Sequence, residues 1–388
     1  MKQIAMTLMA AMLLTQAVAQ TDTYWQTDST ATPLTLDIEA TTFFRDAEFF
    51  LPYTKGYTAS GFRLTPQVRY QVDPQVFVAG GVRMTGIAGT EGLAEVRPVL
   101  TIGYAPVRWM EIRMGTLEGS LKHGLSEPMY DRERWIYDYQ EDGVQIRTKI
   151  KDWESDTWVN WEHLLMPWTP DQERFTLGSV WKCPVLTIKE GQEEGMRKIA
   201  WVEVPLAFVG SHRGGQFSTL DTCIETLMNE SVGVRAGWNR NRRHRIEGEM
   251  EWFFFQNQSP KNERYTPFSE GSAIYPRASY EYRGSKGKSG RWPDLGVTVG
   301  YYRGHQYIAP RGSYLFQSVS WSDPSVATAD RQMVTGDVWI EKTRGEFGVR
   351  IGGQFYYDLE QKKLDFAVGL VMDFGKRVNL GRKSYNNY

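Results

Sequence analysis

At 388 residues the chain is longer than two ordinary soluble domains of about 150 residues each, yet no break in composition divides it. Its 45 Lys and Arg against 46 Asp and Glu leave a net charge of -1, which excludes a nucleic-acid binder selected by bulk charge and a disordered acidic or basic tail protein. The anomaly is aromatic: 14 Trp, 20 Tyr and 18 Phe stand beside 37 Gly in a chain whose mean hydropathy of -0.46 is that of a polar protein.

The first element is read as a signal peptide over 1–19. Lys2 is a short positive n-region, Ile4 to Leu14 an apolar run, and Ala17-Val18-Ala19 a small-x-small cleavage site that leaves Gln20 first. The cysteines are Cys183 and Cys223, so no N-terminal Cys is expected to carry lipid. No later stretch of about 18 apolar residues follows, and no helix is expected to cross a membrane. Residues 20–33 are read as a periplasmic segment preceding the fold.

From 34 onward the pattern has period 2, the signature of a wall with one lipid face and one wet face. Phe62, Leu64, Pro66, Val68, Tyr70 and Val72 alternate with Arg63, Thr65, Gln67, Arg69 and Gln71. Val144, Ile146, Thr148 and Ile150 alternate with Gln145, Arg147, Lys149 and Lys151, and the stretches 274–283 and 347–358 do the same. A helix would scatter these charges around its surface, whereas a strand collects them on one face. Candidate strands lie near 34–44, 61–72, 75–87, 94–104, 109–117, 142–151, 157–165, 174–188, 198–210, 231–238, 245–255, 273–283, 294–303, 313–321, 333–342, 346–357 and 363–374. Bacterial barrels use even counts, so this odd set predicts an all-β antiparallel barrel of about 16 strands, with 18 as the alternative. The barrel is placed at 34–374 and a polar tail at 375–388; helical patterning is confined to Leu220–Met228, inside a long connection. Long links at 45–60, 118–141, 211–230 and 256–272 alternate with tight turns at Asp73-Pro74, 105–108, 152–156 and 239–244, and the rhythm blurs after 284. Short turns belong on the periplasmic side and long loops outside.

The chain resembles the outer-membrane β-barrel proteins of porin type, most closely barrels of the Bacteroidota. Beyond architecture, the resemblance rests on Gly119-Ser120-Leu121-Lys122-His123-Gly124-Leu125-Ser126-Glu127-Pro128-Met129-Tyr130-Asp131-Arg132-Glu133-Arg134 followed by Asp142-Gly143-Val144-Gln145. It departs from the usual barrel ending, because the last strand is read to close near Phe374 with a tail to Tyr388.

In a barrel the rings find a place in girdles at the two membrane interfaces. Trp25, Trp109, Trp153, Trp158, Trp161, Trp168, Trp181, Trp238, Trp252, Trp292, Trp321 and Trp339 are read mostly at strand ends. The competing reading is a soluble β-sandwich or a lectin that stacks carbohydrate on its rings. A sandwich, however, has no use for a regular wet lumen.

A barrel of this size leaves an aqueous channel, and parity places Arg63, Arg69, Arg83, Arg97, Arg113, Arg147 and Lys149 on its cationic side. Glu247, Glu249, Glu251 and Glu281, with Arg277 and Arg350, fall on a more acidic side. Such opposition sets up a transverse field; the alternative is that the charges pair locally and stiffen the wall. The 118–141 link, with His123, Glu127, Asp131, Arg132 and Arg134, is the candidate constriction, since it follows the fifth strand where porins of general type fold a loop inward. Its alternative is an ordinary surface loop.

The expected function is passive diffusion of small polar or ionic solutes through the outer membrane. Expected partners are outer-membrane lipid, the solutes and the barrel-assembly machinery, with no nucleic acid, no cofactor, no metal and no chemistry. The histidines His123, His163, His212, His244 and His305 form no HxH or HxxxH pair. A plugged structural or surface-interaction barrel is one rival. Another is a barrel-mouth hydrolase, which requires His123 to bond Ser120 or Ser126 and lacks the G-x-S-x-G turn. The two thiols are expected to stay unpaired, and the Arg240 to Arg245 cluster is read as a solvated periplasmic turn.

Overall fold

Where parity collects apolar side chains on one face, the backbone has to pair continuously, because lipid offers no hydrogen bonds to a free edge. In the computed structural model, which describes residues 33–166, 171–191, 197–215, 224–259, 267–284, 292–323 and 325–381, this is achieved by sixteen antiparallel strands in a closed ring. They are β1 (Leu34–Glu48), β2 (Tyr57–Asp73), β3 (Val76–Ile87), β4 (Glu95–Val107), β5 (Met110–Thr116), β6 (Asp142–Ile150), β7 (Trp153–His163) and β8 (Glu173–Glu190). The second half holds β9 (Arg197–Gly214), β10 (Glu225–Asn239), β11 (His244–Asn257), β12 (Glu270–Tyr282), β13 (Asp294–His305), β14 (Asp330–Arg344), β15 (Phe347–Asp358) and β16 (Lys363–Asn379). Each strand pairs with its sequence neighbour, and β1 closes on β16 from Thr35 opposite Asn379 to Glu48 opposite Phe366.

The surplus strand of the sequence reading is 313–321. That stretch lies in the link from β13 to β14, where Tyr314–Phe316 form a short 3-10 turn inside the barrel. Its apolar residues mimicked a wall strand because they are buried by the lumen instead of by lipid. Strand β16 runs to Asn379 rather than ending near Phe374. The Leu220–Met228 stretch enters β10 from Glu225, and its residues 220–223 lie outside the described residues. So do the leader, Trp25, Trp168, Cys223 and the end of the tail, while Cys183 carries a free thiol on β8. No helix among the described residues is long and apolar enough to cross a membrane.

The start of β1 and the end of β16 lie at one rim, together with the two- to four-residue turns after β2, β4, β6, β10 and β14, which makes that rim the periplasmic one by the barrel rule. Parity on β2 is clear: Phe62 is 43% exposed and Arg63 only 6%. Many rings do not sit in girdles. They lie across glycines on the neighbouring strand, as in Phe62 opposite Gly86, Phe77 opposite Gly103, Trp158 opposite Gly178, Trp201 opposite Gly237, Trp339 opposite Gly296 and Phe355 opposite Gly336. A Cβ added at Gly178 would stand 2.1 Å from the Trp158 ring, and one at Gly336 2.0 Å from that of Phe355. The ring covers backbone that glycine leaves bare and pins the register of the pair. The joint abundance of Gly and aromatics has this cause in part; Trp153, Trp161 and Trp238 do face outward near strand ends.

Candidate functional site

The link from β5 to β6 leaves the wall at Leu117 and rejoins it at Asp142. It contains a 3-10 turn, Ser120–His123, and one helical turn, Arg134–Tyr137. The first is stopped by Gly124 at φ 73, a left-handed cap that a side chain would strain. His123, Met129, Tyr130, Glu133, Arg134 and Ile136 are all buried, so the link lies inside the barrel.

Charge holds it there. His123 Nε2 meets Glu141 Oε2 at 2.7 Å, Nδ1 meets Asp156 Oδ2 at 2.9 Å, and the ring stacks on Trp158 with centroids 3.5 Å apart. Glu141 also accepts from Tyr130 Oη and, at 3.2 Å, from the Ser120 N–H. Glu133 accepts from Arg45 and from Tyr57 Oη. Glu127 accepts from Tyr356 Oη at 2.6 Å and lies 3.2 Å from Arg132, which also pairs with Asp337. Arg63 donates to the Trp135 carbonyl at 2.5 Å and Arg83 to Gln140 at 2.7 Å. Strands β1, β2, β3, β7, β14 and β15 thus grip one segment, and its buried carboxylates Glu127, Glu133 and Glu141 each have the cationic and hydroxyl partners that their desolvation demands.

A second segment, 306–329 between β13 and β14, fills the outer half of the lumen. Tyr307, Ile308, Ala309, Leu315, Phe316 and Val319 pack with Phe253, Phe255, Tyr275, Tyr302 and Met333 of the wall and with Met129 of the first segment. Buried Arg331 donates to the carbonyls of Gln317 at 2.8 Å and Leu315 at 3.1 Å, pairs with Asp358 at 3.1 Å, and lies over the Tyr53 ring. The two segments bond each other through Asp131 N to Arg311 O, 2.6 Å, and Ser313 N to Glu127 O, 3.0 Å. Between plug and wall remain a cavity of about 110 Å³ beside Glu39, Arg83, Arg113 and Lys122 and one of about 220 Å³ beside Arg132, Arg277, Asp337 and Arg350.

Burial alone would lower the basicity of His123, but its hydrogen bonds to Asp156 and Glu141 outweigh this and raise it. Burial would raise Glu141, yet the contacts with His123 and Tyr130 bring it down to about 2. Glu118 is likewise pulled down to about 2, against burial, by Arg113, Arg147 and Lys122. Glu127 stays raised, because burial exceeds the pull of Arg132.

The other wall residues singled out in the sequence find close partners. Arg69 lies 3.7 Å over the Phe77 ring, Arg97 is 2.9 Å from Asp142, Arg113 is 2.8 Å from Glu111, Arg147 pairs with Glu118, and Lys149 is 2.9 Å from Glu154. Arg235 and Arg277 both bridge to Glu249; Glu251 takes Arg277, and Glu247 takes Arg245. Glu281 and Arg350 have looser partners in Arg245 at 3.8 Å and Glu341 at 3.7 Å. Local pairing therefore accounts for most of these charges, whereas Arg63, Arg69 and Arg83 meet carbonyls, a ring and neutral side chains instead of carboxylates. In the constriction set, Arg134 pairs with Asp138, and Asp131 accepts from Tyr137 Oη at 2.6 Å. The hydrolase constellation is not formed: both nitrogens of His123 are held by carboxylates, and the Ser120 hydroxyl is buried without a partner. Sequence reasoning missed Glu141, Asp156, Arg331 and the whole 306–329 segment, although the loss of rhythm after 284 pointed to that region.

A family model described as lipid A 3'-O-deacylase-type matches residues 25–383. No curated protein matches the chain. Among solved structures it is similar to a loop-deletion mutant of OmpT, an outer membrane protein of Vibrio cholerae, at 11% identity and TM-score 0.52, covering 89% of this chain and 100% of that one. It is also similar to the outer membrane protein OprD from Pseudomonas aeruginosa, at 9% identity and TM-score 0.50, covering 92% and 98%. These likenesses show the outer-membrane β-barrel fold. The family match overturns the expectation of a barrel without chemistry, since the family it describes is one of enzymes.

Proposed function

The chain belongs to the lipid A 3'-O-deacylase-type family, and we propose that it is an outer-membrane ester hydrolase that removes an acyl chain from a lipid A-type glycolipid of its own membrane. The observation that carries this reading is the family match along residues 25–383. The packing supports it: two segments occupy the lumen and are anchored to the wall by buried ion pairs such as Arg45 with Glu133 and Arg132 with Asp337, an arrangement that a diffusion channel does not need. The test is to refold the protein into vesicles containing lipid A and follow free fatty acid by mass spectrometry; intact lipid A after prolonged incubation with a folded barrel would refute it.

A second reading retains passage of small ions, favoured by the two charged cavities between plug and wall. In it, Arg83, Arg113, Arg277 and Arg350 line the path and the 118–141 link is its constriction. Planar-bilayer recordings of the refolded protein decide it, because a sealed plug gives no steps in current. Under either reading a leader over 1–19 delivers the chain to the assembly machinery.

A further inference from the structure

The rim that carries the short turns gathers a group of cations around one small cavity. The turn from β10 to β11 spans residues 240–243, and Asn241 shapes it: its side-chain oxygen accepts the Arg243 N–H at 2.8 Å and the His244 N–H at 3.0 Å. The Arg243 carbonyl accepts from the Arg283 N–H at 2.7 Å, which ties the turn to the end of β12. A cavity of about 150 Å³ lies there, lined by Arg197, Arg242, Arg243, Arg245 and Arg283 with Asn241, and by no carboxylate among the described residues. Arg245 leans on Glu247, on Glu281 at 3.8 Å and on the Trp201 ring, and Arg197 meets Glu190 at 3.1 Å. Arg242 and Arg243 are exposed and pair with no carboxylate among the described residues. Like charges around one cavity repel, and an anion with several acceptor oxygens relieves this while offering guanidinium groups the forked geometry that suits them.

The wall beside the cavity indicates which kind of anion. Trp238 stands opposite Ile246 and Ile246 opposite Tyr280, all on the outer face and 47%, 48% and 37% exposed. One step nearer the rim, His244 stands opposite Tyr282 with ring centroids 5.3 Å apart, and its Nδ1 lies 2.8 Å from Tyr280 Oη. Rings with a polar edge, set just inside a cationic rim, mark the level where hydrocarbon gives way to headgroups. Two residues along a strand span roughly 7 Å. An anion among the arginines of the turn and an acyl chain on Trp238, Ile246 and Tyr280 are therefore within reach of a single lipid molecule. A soluble acidic protein would use the arginines but not this apolar face, which meets the bilayer.

We propose that this rim is a binding site for an anionic phospholipid of the inner leaflet, with its phosphate held by Arg242, Arg243 and Arg283 and its acyl chains lying along Trp238, Ile246 and Tyr280. The site stands at the opposite end of the wall from the long loops. It is independent of whether the barrel hydrolyses esters or passes ions, so its failure and theirs are separate results. The cluster read from the sequence as a solvated turn thereby becomes a lipid clamp, because the register of β10, β11 and β12 sets its arginines above the outward rings.

The experiment uses the refolded full chain in a nonionic detergent, titrated with phosphatidylglycerol or phosphatidylcholine and read by native mass spectrometry as lipid adducts on the folded barrel. Phosphatidylglycerol should form a saturable adduct that phosphatidylcholine does not match. With a loss of about fivefold in affinity for each cation removed, Arg242→Gln combined with Arg243→Gln should weaken that adduct by roughly 25-fold. Arg242→Lys combined with Arg243→Lys should keep most of it. These positions lie in an exposed turn, so both double variants should remain heat-modifiable barrels. Trp238→Ala should also weaken the adduct, which contact with the headgroup alone does not predict. Inorganic phosphate and polyglutamate, added as competitors at matched ionic strength, should leave the lipid in place. Equal adducts from the two lipids, or an undiminished preference for phosphatidylglycerol in the Gln double variant, overturn the site. Displacement by inorganic phosphate would assign the cavity to a free oxyanion, and displacement by polyglutamate to an acidic protein; either overturns the lipid assignment.

Discussion

Glu141 ties several parts of the inner plug to one buried carboxylate. Its carboxylate takes His123 on one oxygen and Tyr130 with the Ser120 N–H on the other, and its side chain is 1% exposed. In Glu141→Gln the volume is kept, but one oxygen becomes a donor facing a donor, and the charge opposite the imidazole is lost. The drop from the ordinary 4.5 to about 2 corresponds to roughly 3 kcal/mol of preference for the charged form in place. Breaking a buried pair by removing one partner costs a similar amount, about 3–5 kcal/mol. If the link leaves the lumen as a unit, 3 kcal/mol raises its opening constant by roughly 10²-fold. Hydrogen exchange read by mass spectrometry should show amides of 118–141 exchanging faster by that factor while strand amides stay unchanged. In the parent, the Glu141 contribution is present above 4.5 and is lost as pH falls towards 2. The His123 contribution has the opposite sense, full below its ordinary 6.5 and lost as pH rises through its raised value. Protection of the link, corrected for intrinsic rates, therefore peaks between these limits. Parent-like exchange in Glu141→Gln together with flat protection from pH 3 to 8 would show that the buried cluster does not hold the plug.

Three further changes probe the rest of the architecture. Replacing 118–141 by a few Gly and Ser residues should leave a folded barrel with stepwise current in planar bilayers; a folded variant as silent as the parent would place the seal in 306–329 alone. Arg331→Met strands Asp358 and releases two carbonyls of the second segment, at about 3–5 kcal/mol, so limited proteolysis should nick 306–329 first; undiminished resistance would refute the anchoring role. Gly178→Ala puts a Cβ 2.1 Å from the Trp158 ring and should lower the urea midpoint by the equivalent of roughly 1–3 kcal/mol, whereas an unshifted midpoint would mean that the ring moves aside freely.

The wall was legible because its physics is local: each strand repeats a two-residue alternation, and the alternation on 62–72 survives as the exposed Phe62 and buried Arg63. The inward course of 118–141 was legible from its density of ionisable groups, which a solvated loop does not require. The 306–329 segment was not, because an apolar stretch such as Tyr314–Leu315–Phe316 reads alike whether lipid or a lumen covers it. Nor were the partners of His123, since Glu141 and Asp156 approach it only once β6 and β7 are in register.

The periplasmic rim shows the limit most sharply. Trp238, Ile246 and Tyr280 are spaced irregularly along the chain and match no motif, and what relates them is the register of β10, β11 and β12. Register follows from turn geometry and from ring-on-glycine contacts such as Trp339 over Gly296. A shift of one residue turns a strand's side chains to the other face. Slipping β11 by one residue would move Ile246 into the lumen and out of line with Trp238. The same contacts that pin the wall therefore decide which side chains meet the membrane and which the lumen, so Gly296→Ala, which puts a Cβ 2.4 Å from the Trp339 ring, should lower the urea midpoint by the equivalent of roughly 1–3 kcal/mol, and an unshifted midpoint would show that this contact does not hold the register.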